Sequence, residues 1–135
     1  MSVDVVWYKK DLRVHDHQPL IASSHSENHV LCLYVIEPER FDLDDFDPIH
    51  LEWELDNAIE LDKSLKEINA SLHFEVGDIE GILEKINSNY EISRLISHQE
   101  TGNSWSYSRD KKVSSWCHKK SIEWLEFPSN VVIRG

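Results

Sequence analysis

The 135 residues hold 25 acids against 14 lysines and arginines, a formal net charge of −11, with 40% hydrophobic and 29% charged positions. That is one domain's worth of chain with the makeup of a soluble globular protein, and no apolar run approaches the roughly 20 residues that span a bilayer. The acid excess and the lack of a basic stripe exclude tight binding to nucleic-acid phosphates by this chain alone.

The opening MSVDVV carries no basic and apolar signal pattern, so a cytoplasmic location is expected. Val3, Val5, Val6, Trp7 and Tyr8 form a β-branched and aromatic run, the composition of a strand covered on both faces. It stops at a charged loop, Lys9-Lys10-Asp11-Leu12-Arg13. Asp16 then offers an oxygen suited to capping a helix over about 18–26, with Pro19 in its first turn, where a missing N–H costs little. Val30 to Ile36 (VLCLYVI) reads as a second buried strand. Glu37 to Pro48, EPERFDLDDFDP, has six acids, two prolines and no helical period, and reads as a solvated acidic loop. Asp42, Asp44, Asp45 and Asp47 are crowded there, but the central glycine and distal glutamate of an EF-hand are both missing, so no metal is expected.

Leu51, Leu55, Ala58, Ile59, Leu65 and Ile68 recur at helical spacing and predict one amphipathic helix over 49–69. Leu72 to Val76 alternates as a strand does, Gly77 ends it, and Asp78 is placed to cap a helix whose Ile79, Ile82, Leu83 and Ile86 share a face. Ile92 to Ile96 predicts a fourth strand, and His98 to Trp105 a loop with Gly102 and Asn103 at its turn. A helix from about Ser106 to Lys120 and a strand from Ile122 to Phe127 complete the alternation; Val131-Val132-Ile133 reads as a further element or the start of a connection. Trp7, Trp53, Trp116 and Trp124 are expected in or beside the core. Cys32 and Cys117 lie far apart, outside any CxxC pair, and read as reduced structural thiols. Five strands alternating with four helices predict an α/β domain over 1–135: a Rossmann-like, doubly wound, five-stranded parallel sheet with helices on both faces.

The four glycines form neither GxGxxG nor GxxxxGK[ST], which argues against the common dinucleotide and P-loop enzymes. No HExxH, GxSxG or paired CxxC pattern occurs, and no serine or cysteine is credibly activated by His15, His17 or His98. In a doubly wound sheet the loops after strands one and four flank the point where strand order reverses. Those loops supply Arg13 and Arg109 as fork donors, Asp16, Glu100 and Asp110 as acceptors, and Trp105 and Tyr107 as stacking surfaces. The mixture suits a planar, hydrogen-bonding, partly anionic ligand such as a flavin or folate. Arg13 has an equal rival reading, a loop-closing ion pair with Asp11 or Asp16.

The stretch WYKKDLRVHDHQPL resembles the opening of the DNA photolyase/cryptochrome family, W-[FY]-[RK]-x-D-L-R-[LV]-x-D-[NH]-x-x-L. Trp7, Tyr8, Lys9, Asp11, Leu12, Arg13, Val14, Asp16, His17 and Leu20 carry the match. After the fourth strand, Arg109-Asp110 with Val113 partly keeps the family's R-x-R-D-x-x-V pattern. Lys9 stands where the family usually has arginine, which keeps the charge but not the planar fork.

The resemblance covers the family's amino-terminal α/β domain and implies an antenna that holds a folate, deazaflavin, FMN or lumazine. FAD would sit only in a carboxyl-terminal helical domain, which would also meet DNA and dock on this one. Lyase activity, repair of pyrimidine dimers or blue-light sensing would belong to the longer protein, and the fragment alone is expected to be inactive. The candidate chromophore-side residues are Lys9, Asp11, Arg13 and Asp16 of the first loop, Glu37 after the second strand, and Glu100, Trp105 and Arg109; no catalytic residue is assigned. Two alternatives stand beside this: a nucleotide- or flavin-binding module of universal-stress-protein type, and an interaction or homodimerisation module.

Overall fold

The computed structural model describes residues 2–9, 12, 17–24, 28–43, 46–100 and 104–128. It contains strands β1 (Ser2–Tyr8), β2 (His29–Ile36), β3 (Leu72–Val76), β4 (Glu91–His98) and β5 (Glu123–Phe127), and helices α1 (Gln18–Ser24), α2 (Pro48–Lys66), α3 (Ile79–Asn89) and α4 (Ser104–Lys120). The strands run parallel in the order β3-β2-β1-β4-β5. Strand order reverses between β1 and β4, the switch point of a doubly wound sheet.

β1 reads as a nearly continuous apolar run because the sheet is covered on both sides. Val3, Val5 and Trp7 face the core under α3 and α4, with Leu83, Val113 and Trp116; Val6 and Tyr8 face the core under α2, with Ala58, Leu61 and Leu65. Asp4 interrupts the run yet is fully buried, because Arg94 Nη2 (2.9 Å) and Asn28 Nδ2 (3.1 Å) donate to its carboxylate.

Local chemistry sets the element ends. Asp47 caps α2 by accepting from Ile49 N at 2.9 Å, and Pro48 takes the first turn. Asp78 caps α3 by accepting from Gly81 N at 3.1 Å. Between β3 and that cap Gly77 has φ +146°, a backbone that a side chain would strain, and its N–H bonds Ile36 O at 2.9 Å. At the start of α1, His17 fills the capping place: its Nδ1 accepts from Leu20 N at 3.2 Å and its carbonyl from Ile21 N at 3.0 Å. Asp16, expected as that cap, lies outside the described residues, as does Val131-Val132-Ile133.

Three expectations need correction. Trp53 is 68% exposed and Ile59 51%, so neither packs in the core. Instead α2 turns Glu54, Ala58, Leu61 and Leu65 inward. The reason is polar: Tyr34 Oη donates to Glu54 at 2.5 Å and Arg40 clasps it at 3.0 and 3.1 Å, so the carboxylate is matched and rotates the helix face with it. The acidic loop contains a short 3-10 helix, Pro38–Asp42, which delivers Arg40 to that site. Finally, β4 runs on to His98 and α4 begins at Ser104, so the loop between them is shorter than the spacing predicts. Cys32 and Cys117 are free and buried, and burial pushes both thiols up to about 11. Among the described residues, no helix is long and apolar enough to cross a membrane.

Candidate functional site

Trp7, Lys9 and Glu37 project from the carboxyl ends of β1 and β2 toward the face covered by α4. They meet Arg109 there. Arg109 is 8% exposed and engages three carboxylates: Nη1 donates to Glu37 Oε1 at 3.1 Å, Nη2 to Glu100, and Nε to Asp110 Oδ1 at 3.0 Å. The guanidinium lies over the Trp7 ring at 4.9 Å and near the Trp105 ring at 5.2 Å. Lys9 Nζ sits over the same Trp7 ring at 4.4 Å and pairs with Asp110 Oδ2 at 3.4 Å. Thus the chain ends of β1, β2 and β4 converge on one buried network of two cations and three carboxylates.

Its protons follow from that arithmetic. Burial would weaken the charge on Arg109, but Glu37, Glu100 and Asp110 together hold it firmly protonated. Three carboxylates share that one guanidinium, so it does not keep all of them ionised: burial pushes Glu37 up to about 7 despite the pull of Arg109. Burial likewise holds Lys9 below its ordinary range, with Asp110 opposing the shift.

A cavity of about 210 Å³ opens beside the network. Glu37, Pro38 and Glu39 wall it from the end of β2, Gly77 and Asp78 from the end of β3, and Trp105, Ser108, Arg109 and Lys112 from α4. The α4 residues recur at i, i+3, i+4 and i+7, one helical face. Trp105 Nε1 donates to Glu39 Oε1 at 3.1 Å, which fixes the indole as a wall of the cavity.

The structure therefore brings Lys9, Glu37, Glu100, Trp105 and Arg109 together, while Asp11, Arg13 and Asp16 lie outside the described residues. Lys9, just after β1, pairs with Asp110 of α4. The cavity walled by Trp105 and Lys112 lies beyond Arg109, toward β3. Sequence reasoning missed Glu39, Gly77, Asp78, Ser108 and Lys112 as its walls. Helical spacing from Trp105 was a signal for Ser108 and Lys112; for Asp78 the only visible role was the cap. Tyr107, expected as a stacking surface, is exposed and absent from the walls, with Lys111 Nζ 5.1 Å from its ring.

Residues 4–134 match the family described as DNA photolyase. The chain belongs to the DNA photolyase family. A cryptochrome DASH of Gloeobacter violaceus is 32% identical over 101 residues, 71% of this chain and 20% of that protein. A deoxyribodipyrimidine photo-lyase of Alkalihalophilus pseudofirmus is 24% identical over 131 residues, 93% of this chain and 26% of that one. Among solved structures, a Synechocystis cryptochrome superposes with a TM-score of 0.87 at 20% identity, covering 95% of this chain and 27% of its own. A photolyase of Sulfolobus tokodaii, described as holding two FAD molecules with the implication of a novel light-harvesting cofactor, gives 0.80 at 19% identity, covering 95% and 29%. The α/β fold is thus shared, and the chain spans little more than a quarter, at most, of each of these relatives.

Proposed function

We propose that this domain is the light-harvesting, antenna-chromophore-binding part of a photolyase/cryptochrome flavoprotein, in which a helical FAD-binding domain of the same polypeptide performs the light-driven chemistry. One observation carries the reading: in a photolyase-family fold, the cavity at the carboxyl ends of β2 and β3 is walled by an indole plane and a carboxyl group beside an arginine. An indole offers stacking, and the carboxyl and backbone groups fix orientation, the usual makeup of a small-molecule site. A volume of about 210 Å³ encloses part of a ring system rather than a whole nucleotide-bearing cofactor. The second FAD described for the S. tokodaii photolyase supports a ring-binding role by analogy.

Within the whole protein the chromophore would absorb and pass excitation to FAD. DNA would be met by the other domain, in keeping with the −11 charge of this one. Dimer repair or blue-light signalling would follow from that domain, and the protein would work in the cytoplasm.

The test is the size and pigment of the native gene product. Blotting cell extract with an antibody to this chain should reveal a band several times its mass, and protein captured by that antibody should carry flavin plus a second near-ultraviolet or blue-absorbing pigment. A band at the mass of this chain alone, with no pigment, would overturn the proposal in favour of a stand-alone binding or dimerisation module.

A further inference from the structure

The outward face of α2 carries apolar side chains that nothing among the described residues covers. Glu54 turns inward because Tyr34 and Arg40 hold its carboxylate, and that rotation fixes what the opposite side presents. Ile49, Glu52, Trp53, Asp56 and Glu60 recur at i, i+3, i+4, i+7 and i+11, so they form one exposed stripe. Ile49 is 70% exposed and Trp53 68%, the two most exposed large apolar side chains among the described residues. Single apolar residues are ordinary on a surface, but an isoleucine and an indole one turn apart on the same stripe make a patch. Phe41, half-exposed, lies in the segment that leads into the same end of the helix, its ring 5.1 Å from that of Phe46.

The charge along this stripe is of one sign. Glu60 pairs with Lys63 at 3.4 Å in a contact open to water, whereas Glu52 and Asp56 make no ion pair among the described residues. The lysines of α2, Lys63 and Lys66, both lie in its last turn, away from Ile49 and Trp53. A second copy of the chain would set the same acids against themselves, on top of a net charge of −11 on each. An anionic membrane is disfavoured for the same reason. What complements the stripe is a helix whose apolar face is flanked by lysine or arginine.

We propose that the outer face of α2 docks a cationic amphipathic helix of another protein, with apolar side chains of that helix on Ile49 and Trp53 and its bases on Glu52 and Asp56. The indole is the anchor, because a large flat side chain ordered at the centre of a patch contributes most of such a contact. The acids steer the approach and set which partners are refused. The described walls of the cavity come from other elements, so this surface stands apart from the chromophore reading.

The test is fluorescence anisotropy of a dye-labelled peptide as long as α2, 19 residues, with leucines at helical spacing on one face and lysines elsewhere. A peptide of the same composition, scrambled to have no apolar face, is the control. Both are titrated with the native gene product and with the chain alone. The ordered peptide should bind at least about tenfold more tightly than the scrambled one, and raising salt from about 50 to about 300 mM should weaken it several-fold. Trp53→Ser, which leaves the core untouched, should weaken binding about tenfold or more. Glu52→Gln combined with Asp56→Asn should weaken it less and flatten the salt dependence. Equal binding of the two peptides, or binding indifferent to Trp53→Ser, would overturn the proposal. So would binding to the chain alone but not to the native product, which would mean that the face is covered within its own polypeptide. Sedimentation showing a dimer that Trp53→Ser dissolves would overturn it in favour of a second copy.

Discussion

The two ends of the sheet each bury ionised side chains, and they do so in opposite styles. At the amino end, one acid (Asp4) meets one arginine (Arg94, 2.9 Å) and one neutral amide (Asn28, 3.1 Å), and Arg94 reaches solvent. There one carboxylate faces one guanidinium, with an amide beside it. At the carboxyl end, three carboxylates surround Arg109 and Lys9, the excess acid is shifted to about 7, and a cavity adjoins the shifted group. Both ends satisfy the rule that buried charge is paired. At the carboxyl end acids outnumber cations, and that surplus beside a cavity distinguishes a candidate site from a staple.

Breaking the carboxyl-end network should have the largest effect. Arg109→Met strands three carboxylates around Lys9 and should cost about 3–5 kcal/mol in urea unfolding. A loss below about 1 kcal/mol would mean that the carboxylates reach water and that no buried network exists.

Next comes the proton. Glu37 titrates at about 7 folded against an ordinary 4.5, so the folded state holds this proton more tightly than the unfolded chain. The contribution is fully present below about pH 4.5 and is lost as pH rises through about 7, a fall of roughly 3 kcal/mol from this group. Urea melts at about pH 5 and pH 8 should show that fall in the wild type and a flatter profile in Glu37→Gln. Identical profiles would return Glu37 to an ordinary surface acid.

Asp4→Asn should be milder, about 1–2 kcal/mol, because Arg94 can turn to water and Asn28 keeps a neutral partner. It should leave the fall in stability between about pH 5 and pH 8 unchanged; loss of that fall would erase the contrast between the two ends. Smallest of all, Trp53→Ser should shift stability by no more than about 0.5 kcal/mol, since the indole is largely exposed. A larger cost would place Trp53 in packing that the fold does not show.

The same contrast accounts for what could be read from residues alone. β1 announces itself, because a nearly unbroken apolar run suits little but a strand covered on both faces, and Gly77-Asp78 marks a turn and a cap at one stroke. The inner face of α2 was not legible. Glu54 goes inside only because Tyr34 and Arg40, far from it in sequence, converge on its carboxylate, and that convergence carries Ile59 and Trp53 outward. The cavity was half legible. Glu37, Trp105 and Arg109 were foreseeable as site residues, whereas Glu39, Gly77 and Asp78, which wall the cavity from the ends of β2 and β3, were not. A spacing rule locates the elements; side-chain packing decides which of their residues line one cavity.

The position of β1 has a further cost during synthesis. Its register partners on one side come early, Tyr8 against Tyr34, but on the other Trp7 must wait for Ser97. At ribosomal speeds of about 5–20 residues per second, that wait is on the order of 5–20 s. Throughout it the most apolar strand of the domain presents a bare edge, the geometry that templates wrong pairings between nascent chains. A sheet built outward from its first strand is therefore most vulnerable at its centre, and such a chain is a natural client for chaperones that shield nascent polypeptides until β4 has emerged.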